Sequence, residues 1–432
     1  MLSLFLACTS VEPGPDPTAE VARPNVVVFV LDTLRADSFS TDVMRLPYAR
    51  AVQGGTRFTS AQSTGGWTIP SVASMLTGLY PSHHGVTMGK VPSRSEEEPL
   101  ALPRLPDQPV LAERFQAAGY TTFGTTSNAL ITAEQGFDRG FDHYRPFTMK
   151  EGHWHGDGKL VDKDGWRVED RGKAPADAIV VLDQVGEWRD ELEASESWFL
   201  WVHLMDSHMP YFTREPWYSE LGGGGEDDDL DRWSAYRSSF AWQSALVDAL
   251  LGTLPEDTIV VFISDHGEHM GEGGLYGHNS GLRAPLMDVP FVISGPGIQA
   301  RRVDQPVSQV DLAPTLAELC DLEHQAADGV SLVPWLHGGS VPARPVYGHR
   351  GPMRNLQRDT WSVVEWPWRL VQKGATRELQ DLRSDDIVTN AAVEARLSAR
   401  LDAHIASTVE PVRVEDEDEG DIDGLRALGY LD

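Results

Sequence analysis

The sequence predicts an α/β fold: a doubly wound, mostly parallel sheet flanked by helices, with a small C-terminal α+β subdomain. Three observations predict it. Continuous apolar runs rich in β-branched and aromatic residues recur at 25–31, 198–204, 258–264 and 290–294, and a run without polar alternation suits a strand buried on both faces. Helically spaced stretches lie between them, such as 108–119 and 235–251, and strands alternating with helices build parallel sheets. From Val341 the pattern changes to short strands, 360–364 and 369–371 among them, which suit a small antiparallel sheet.

The chain therefore divides into 1–24, 25–340 and 341–432. Met1 to Ala7 is apolar, and Phe5-Leu6-Ala7-Cys8 resembles a bacterial lipoprotein cleavage box. Residues 1–24 are expected to be a signal or lipoprotein segment, lipidated at Cys8, and then a Pro- and acid-rich linker that cannot bury a core. On that reading the protein is exported and anchored, facing the periplasm or cell surface; the bland alternative is a disordered terminus with an incidental cysteine. No later run is long and apolar enough to span a membrane.

Cys320, within Leu316-Ala317-Glu318-Leu319-Cys320, reads as a core residue. Two cysteines allow neither a disulfide framework nor a zinc–thiolate site. Lys and Arg number 36 against 65 Asp and Glu, a net charge of −29 that argues against a nucleic-acid partner. The runs 222–229 and 414–423 read as solvated loops.

Ligands of doubly wound sheets gather beyond the carboxyl ends of the strands. Three of the four runs stop there in chemistry-bearing residues: the first at Asp32, the second near Asp206 and His208, the third at Asp265-His266. Carboxylates with imidazole suit Mn, Zn, Mg or Ca, the imidazole tilting the choice away from pure Ca. A lone Asp after a strand is ordinarily a turn or cap residue; it is the set at one end of the sheet that points to a cation. Gly65-Gly66 then leads into Thr68-Ile69-Pro70-Ser71, a helix opening with Pro in its first turn. Thr68 would lie at or near the N-cap, where its hydroxyl meets unpaired N–H groups and the positive end of the helix dipole. On spacing alone, an ordinary helix cap is the better reading of Thr68.

The longer motifs are similar to those of the sulfatase family of the alkaline phosphatase superfamily. NVVVFVLDTLRAD from Asn25, TIPSVASMLTGLYPSHHGV from Thr68, FLWVHLMDSHMPY from Phe199 and FISDHGEHMGEGGLYGH from Phe262 resemble its landmarks in order. So do VSQVDLAPTLAELC from Val307, ELQDLRSDD from Glu378 and the terminal LRALGYL. The resemblance implies Thr68 as nucleophile and one divalent metal ion (Mn, Zn, Ca or Mg) held by Asp32, Asp265, His266 and the Thr68 oxygen. It implies His208 as the group that protonates the leaving alcohol, and His278 and Asn128 as contacts to the anionic oxygens. His203 and His84 match recurring family histidines; His203 is carried as a substrate contact, and packing explains either about as well.

Three departures sharpen the resemblance. Thr68 stands where Cys is usual, so no formylglycine is expected. Thr33 replaces a second acidic residue, and Val72 replaces an Arg. His266 also stands where calcium sulfatases often carry Asn. At the metal site the chain therefore resembles phosphonate monoester hydrolases and phosphoethanolamine or lipoteichoic acid transferases. The implied activity is hydrolysis of a sulfate or phosphate ester of a small molecule, glycan or lipid by a Thr hydroxyl. The alternatives are phosphoryl transfer to an alcohol and a non-catalytic surface binding protein of the same fold.

Overall fold

A computed structural model describes residues 23–44, 54–87, 101–147, 160–161, 167–168, 176–224, 228–278, 281–323, 325–351, 359–410 and 413–415. Cys8, the N-terminal segment, most of the 414–423 run and the terminal LRALGYL lie outside them. The principal sheet has eight strands: β1 (Val26–Leu31), β2 (Gly55–Phe58), β3 (Thr121–Thr126), β4 (His143–Pro146), β5 (Trp198–Leu204), β6 (Ile259–Ile263), β7 (Phe291–Ser294) and β8 (Arg301–Val303). Their order is β8-β2-β7-β6-β1-β5-β3-β4. All run in one direction except β7, which is antiparallel to both neighbours.

The apolar runs pack as their composition dictates. Successive residues of a strand face opposite ways, and every residue of β1 is buried. Val26, Val28 and Val30 join one core with Phe199, Trp201 and Val261; Val27, Phe29 and Leu31 join a second with Leu200, Val202 and Phe262. The first core is closed by α1 (Thr68–Thr77), α2 (Leu111–Ala117) and α5 (Leu312–Leu319), the second by α3 (Ala178–Glu187) and α4 (Asp228–Leu251). The doubly wound α/β fold is thus as expected, with α4 beginning earlier than its apolar spacing suggested. Among the described residues no helix is long and apolar enough to cross a membrane.

Five further strands, β9 (Val346–Arg350), β10 (Thr360–Glu365), β11 (Trp368–Lys373), β12 (Thr376–Asp381) and β13 (Asp386–Val388), form an antiparallel meander. It packs on α6 (Ala391–Ala406), whose Val393, Leu397 and Leu401 repeat every fourth residue and meet Trp361, Val363, Leu370 and Leu379. This subdomain is tied to the larger domain by buried Arg369, which donates to Gln62 Oε1 at 2.6 Å and pairs with Asp288. A second tie joins His404 Nε2 and Ser82 Oγ at 2.8 Å.

Candidate active site

The carboxyl ends of β1, β5 and β6 deliver Asp32, His203 and Asp265 to one point; their donor atoms lie within 4.8 Å of one another and all three side chains are buried. Neighbouring strands of a parallel sheet end at the same level, so in-register pairing of β1 with both β5 and β6 brings these tips together. Just past β1, Thr33 adopts φ 59°, a left-handed value that costs a β-branched residue about 1–3 kcal/mol. That turn aims the Thr33 N–H at Asp265 Oδ1, 3.1 Å away.

Thr68 opens α1 as its first helical residue; the N-cap position belongs to Trp67, which has no side-chain capping bond. Thr68 is thus one position further into the helix than an N-cap, with its hydroxyl still at the positive end. Thr68 Oγ1 lies 3.4 Å from Asp32 Oδ2 and 3.4 Å from His266 Nε2. Asn128 Nδ2 donates to Asp32 Oδ2 at 3.1 Å and to Thr68 Oγ1 at 3.3 Å. Its amide orientation is set by Leu130 N–H, which donates to Asn128 Oδ1 at 2.9 Å.

His266 Nδ1 faces the Gly267 carbonyl at 2.8 Å, which makes Nδ1 the protonated nitrogen and turns the Nε2 lone pair toward Asp265 Oδ2 at 3.4 Å and Asp32 Oδ1 at 3.8 Å. His208 is held alike, Nδ1 to the Met209 carbonyl at 2.7 Å. The rings of His208 and His266 each lie 4.8 Å from that of His278. His278 Nδ1 meets Glu268 Oε1 at 3.0 Å. His84 belongs elsewhere: its Nε2 bonds Ser74 Oγ at 3.0 Å and its Nδ1 accepts the Val86 N–H, so it braces the outer end of α1.

Burial dominates the electrostatics. It pushes Asp265 up to about 6, with the charge of Asp32 adding to the effect. Burial would raise Asp32 too, but the approach of His203 and the charges of His208 and His266 hold it well below the carboxylate range. Burial lifts Glu268 to about 7, drops His278 to about 3 and lowers His208. Two carboxylates this close, with Asp32 Oδ1, Asp265 Oδ2 and His203 Nε2 all buried and without hydrogen-bond partners, form a costly arrangement unless something positive sits among them. Asp32, Asp265, His266 and Thr68 thus bring carboxylate, imidazole and hydroxyl donors to within 3.4–3.8 Å of one another at Thr68 and His266. The residues present fit a divalent cation.

A sequence model of the sulfatase family matches residues 24–322. The chain belongs to the sulfatase family. It is 31% identical over 330 residues to a low-salt glycan biosynthesis sulfotransferase of Haloferax volcanii, covering 73% of this chain and 65% of that protein, just under two thirds of its length. It is 23% identical over 445 residues to a choline-sulfatase of Rhizobium meliloti, covering 87% and 83%. Among solved structures, a phosphonate monoester hydrolase of Silicibacter pomeroyi superposes with a TM-score of 0.70 at 18% identity, over 90% of this chain and 96% of that one. A 2-O GAG sulfatase superposes with a TM-score of 0.67 at 19% identity, over 94% and 96%; these two likenesses show the fold. By family this sulfatase-like chain is an ester hydrolase.

Two residues of the site carry no signal that sequence reading used. Glu268 is buried behind His278. Gln309, from the 307–320 motif, donates to the carbonyls of Asp265 at 2.6 Å and Ser264 at 2.7 Å while its Oε1 accepts the Thr64 N–H at 2.9 Å. It fastens the tip of β6 to the glycine turn before Thr68.

Proposed function

We propose that this sulfatase-family chain cleaves a phosphate or sulfate ester by in-line attack of the Thr68 hydroxyl. The observation that carries the reading is the placement of Thr68 Oγ1, at the start of a helix and 3.4 Å from both Asp32 and His266. Asp32, Asp265, His266 and Thr68 Oγ1 would hold the divalent cation, which when bound lowers the pKa of the hydroxyl and polarises an ester oxygen. No formylglycine enters, because position 68 is Thr.

The chain's own groups supply the rest. N–H groups at the start of α1, Asn128 Nδ2 and His278 bind the oxygens on which charge spreads. His208, its Nδ1 fixed by Met209, exchanges a proton at Nε2: it protonates the departing alkoxide and then takes a proton from the incoming water. Thr68 gives up its hydroxyl proton to solvent before it attacks; the phospho- or sulfo-Thr68 ester so formed is broken by water at the phosphorus or sulfur, which releases the anion and returns the threonine oxygen. A phospho-threonine has that exit at lower cost than a sulfo-threonine, which favours phosphorus; the relatives' names favour sulfate. The name of the Haloferax relative supports a second reading, transfer of the group to an alcohol, and product linked to an added acceptor alcohol identifies it.

Purified wild type and Thr68→Ala are compared on aryl phosphate, phosphonate and sulfate esters. The reading expects a turnover loss on the order of 10⁴-fold or more, with cation still bound, and retained activity in Thr68→Ser. Undiminished turnover in the folded alanine variant excludes it, and a chain that binds ester without turnover in either form is a binding protein. Export and lipid attachment at Cys8 belong to the same proposal; loss of palmitate labelling in Cys8→Ser tests them.

A further inference from the structure

We propose that His203 is a direct ligand of the cation, so that two imidazoles, His203 and His266, face it together. The inference rests on the reading that a cation sits among Asp32, Thr68, Asp265 and His266. It replaces the substrate contact expected for His203.

The placement comes from strand periodicity. On β5, Phe199 and Trp201 face the core beneath α1, and a period of two sends His203 to the same side, the side where Thr68 opens its helix. In register His203 lies beside Val30 of β1 and Thr126 of β3. The side chain has no exposure, so it sits at the floor of the site with the carboxylates. Its Nε2 lies 3.4 Å from Asp32 Oδ2, a long contact outside the usual hydrogen-bond range. A buried polar nitrogen without a well-made hydrogen bond is disfavoured. Asp32 Oδ1 and Asp265 Oδ2 share that condition, and the three residues converge. One cation satisfies all three at once.

The other ring nitrogen gives independent support. His203 Nδ1 meets Thr126 Oγ1 at 3.2 Å, and the same oxygen accepts the Asn128 N–H at 3.0 Å. Donation from Nδ1 to that hydroxyl leaves the Nε2 lone pair turned to the carboxylates. Metal-bound histidines are held this way, their second nitrogen donating to a fixed acceptor, and His266 repeats the arrangement on the Gly267 carbonyl. Thr126 is then a positioning residue that orients one ligand, His203, and one substrate-facing amide, Asn128. Two imidazole nitrogens with carboxylate and hydroxyl oxygens make a donor set for Zn²⁺ or Mn²⁺ rather than Ca²⁺ or Mg²⁺.

The test is X-ray absorption at the zinc edge of the Zn²⁺-loaded full chain, together with Zn²⁺ and Ca²⁺ titration of the metal-stripped wild type, His203→Ala and His203→Asn. Two imidazoles are expected around zinc in the wild type and one in each variant. Zn²⁺ affinity is expected to fall beyond the roughly 10–100-fold that loss of an outer partner brings, with Ca²⁺ affinity nearly unchanged. A single imidazole in wild type overturns the assignment without recourse to any variant, as does unaltered Zn²⁺ affinity in a folded His203→Ala. A wild type that takes up no cation overturns the metal reading itself, and this assignment with it.

Discussion

Glu268 Oε1 lies 3.0 Å from His278 Nδ1, with almost no part of either side chain reaching solvent. With burial lifting Glu268 to about 7, its carboxyl holds a proton and donates to Nδ1, which fixes the ring plane and leaves Nε2–H to face the substrate oxygens. Glu268 acts through His278 and is a positioning residue. Its removal should lower kcat/KM about 10–100-fold, the range found for outer partners of site histidines. In a double-mutant cycle with His278→Ala the two losses should overlap rather than add, since both act on one contact. Full additivity would show that Glu268 serves some other group.

Gln309 holds three backbone groups from two segments that meet only in the folded chain. Gln309→Leu leaves the buried Ser264 carbonyl and the Thr64 N–H without their side-chain partner, while the Asp265 carbonyl keeps the Ser63 hydroxyl at 2.6 Å. At roughly 1–3 kcal/mol for each buried group, partly recovered by relaxation, a loss of about 3 kcal/mol in unfolding free energy is expected by denaturant titration. Turnover should fall as well, because the glycine turn before Thr68 is no longer fastened to the tip of β6.

Cation removal should register as lost stability. Asp32 and Asp265 are both buried, so a bound cation relieves their repulsion only in the folded state. A hundredfold excess over Kd adds about 2.7 kcal/mol. Chelation should therefore lower Tm, and Zn²⁺ or Mn²⁺ should restore it better than Ca²⁺.

The short helix Pro81–His84, which meets the C-terminal subdomain through Ser82 and His404, carries its own pH dependence. His83 Nδ1 bonds Asp328 at 2.7–2.8 Å, and that bond raises the imidazole pKa above its ordinary value. A raised histidine pKa means the folded state binds the proton more tightly, so this stabilisation is full below pH 6.5 and fades as pH rises through the folded value. His83 is partly exposed, so the effect is small after solvent screening. Asp328→Asn should lower Tm at pH 5.5 by more than at pH 8.5; an equal loss at both would assign the contact a purely packing role.

Much of this was legible before any coordinates. A strand buried on both faces must be apolar throughout, so β1, β5 and β6 announced themselves, and the Asp and His residues ending them marked one rim. The direction of β7 did not show, because an apolar run reads alike both ways; its ending in Gly295 rather than an acid is the trace of its reversal. Glu268 looks like any acidic residue of a polar loop, and only His278 folding over it reveals its burial. Gln309 acts on partners 44 or more positions away, beyond the reach of local pattern. His203 sat in a run that reads as core strand, and its convergence with Asp32 and Asp265 depends on register between strands far apart in sequence.

The account turns on Thr68 taking the transferred group. Enzyme quenched during turnover of an aryl phosphate, then digested and weighed, should show the mass of one phosphoryl group on the peptide containing Thr68 and none in Thr68→Ala. Full turnover with no adduct on that peptide, or with the adduct on another residue, would contradict it.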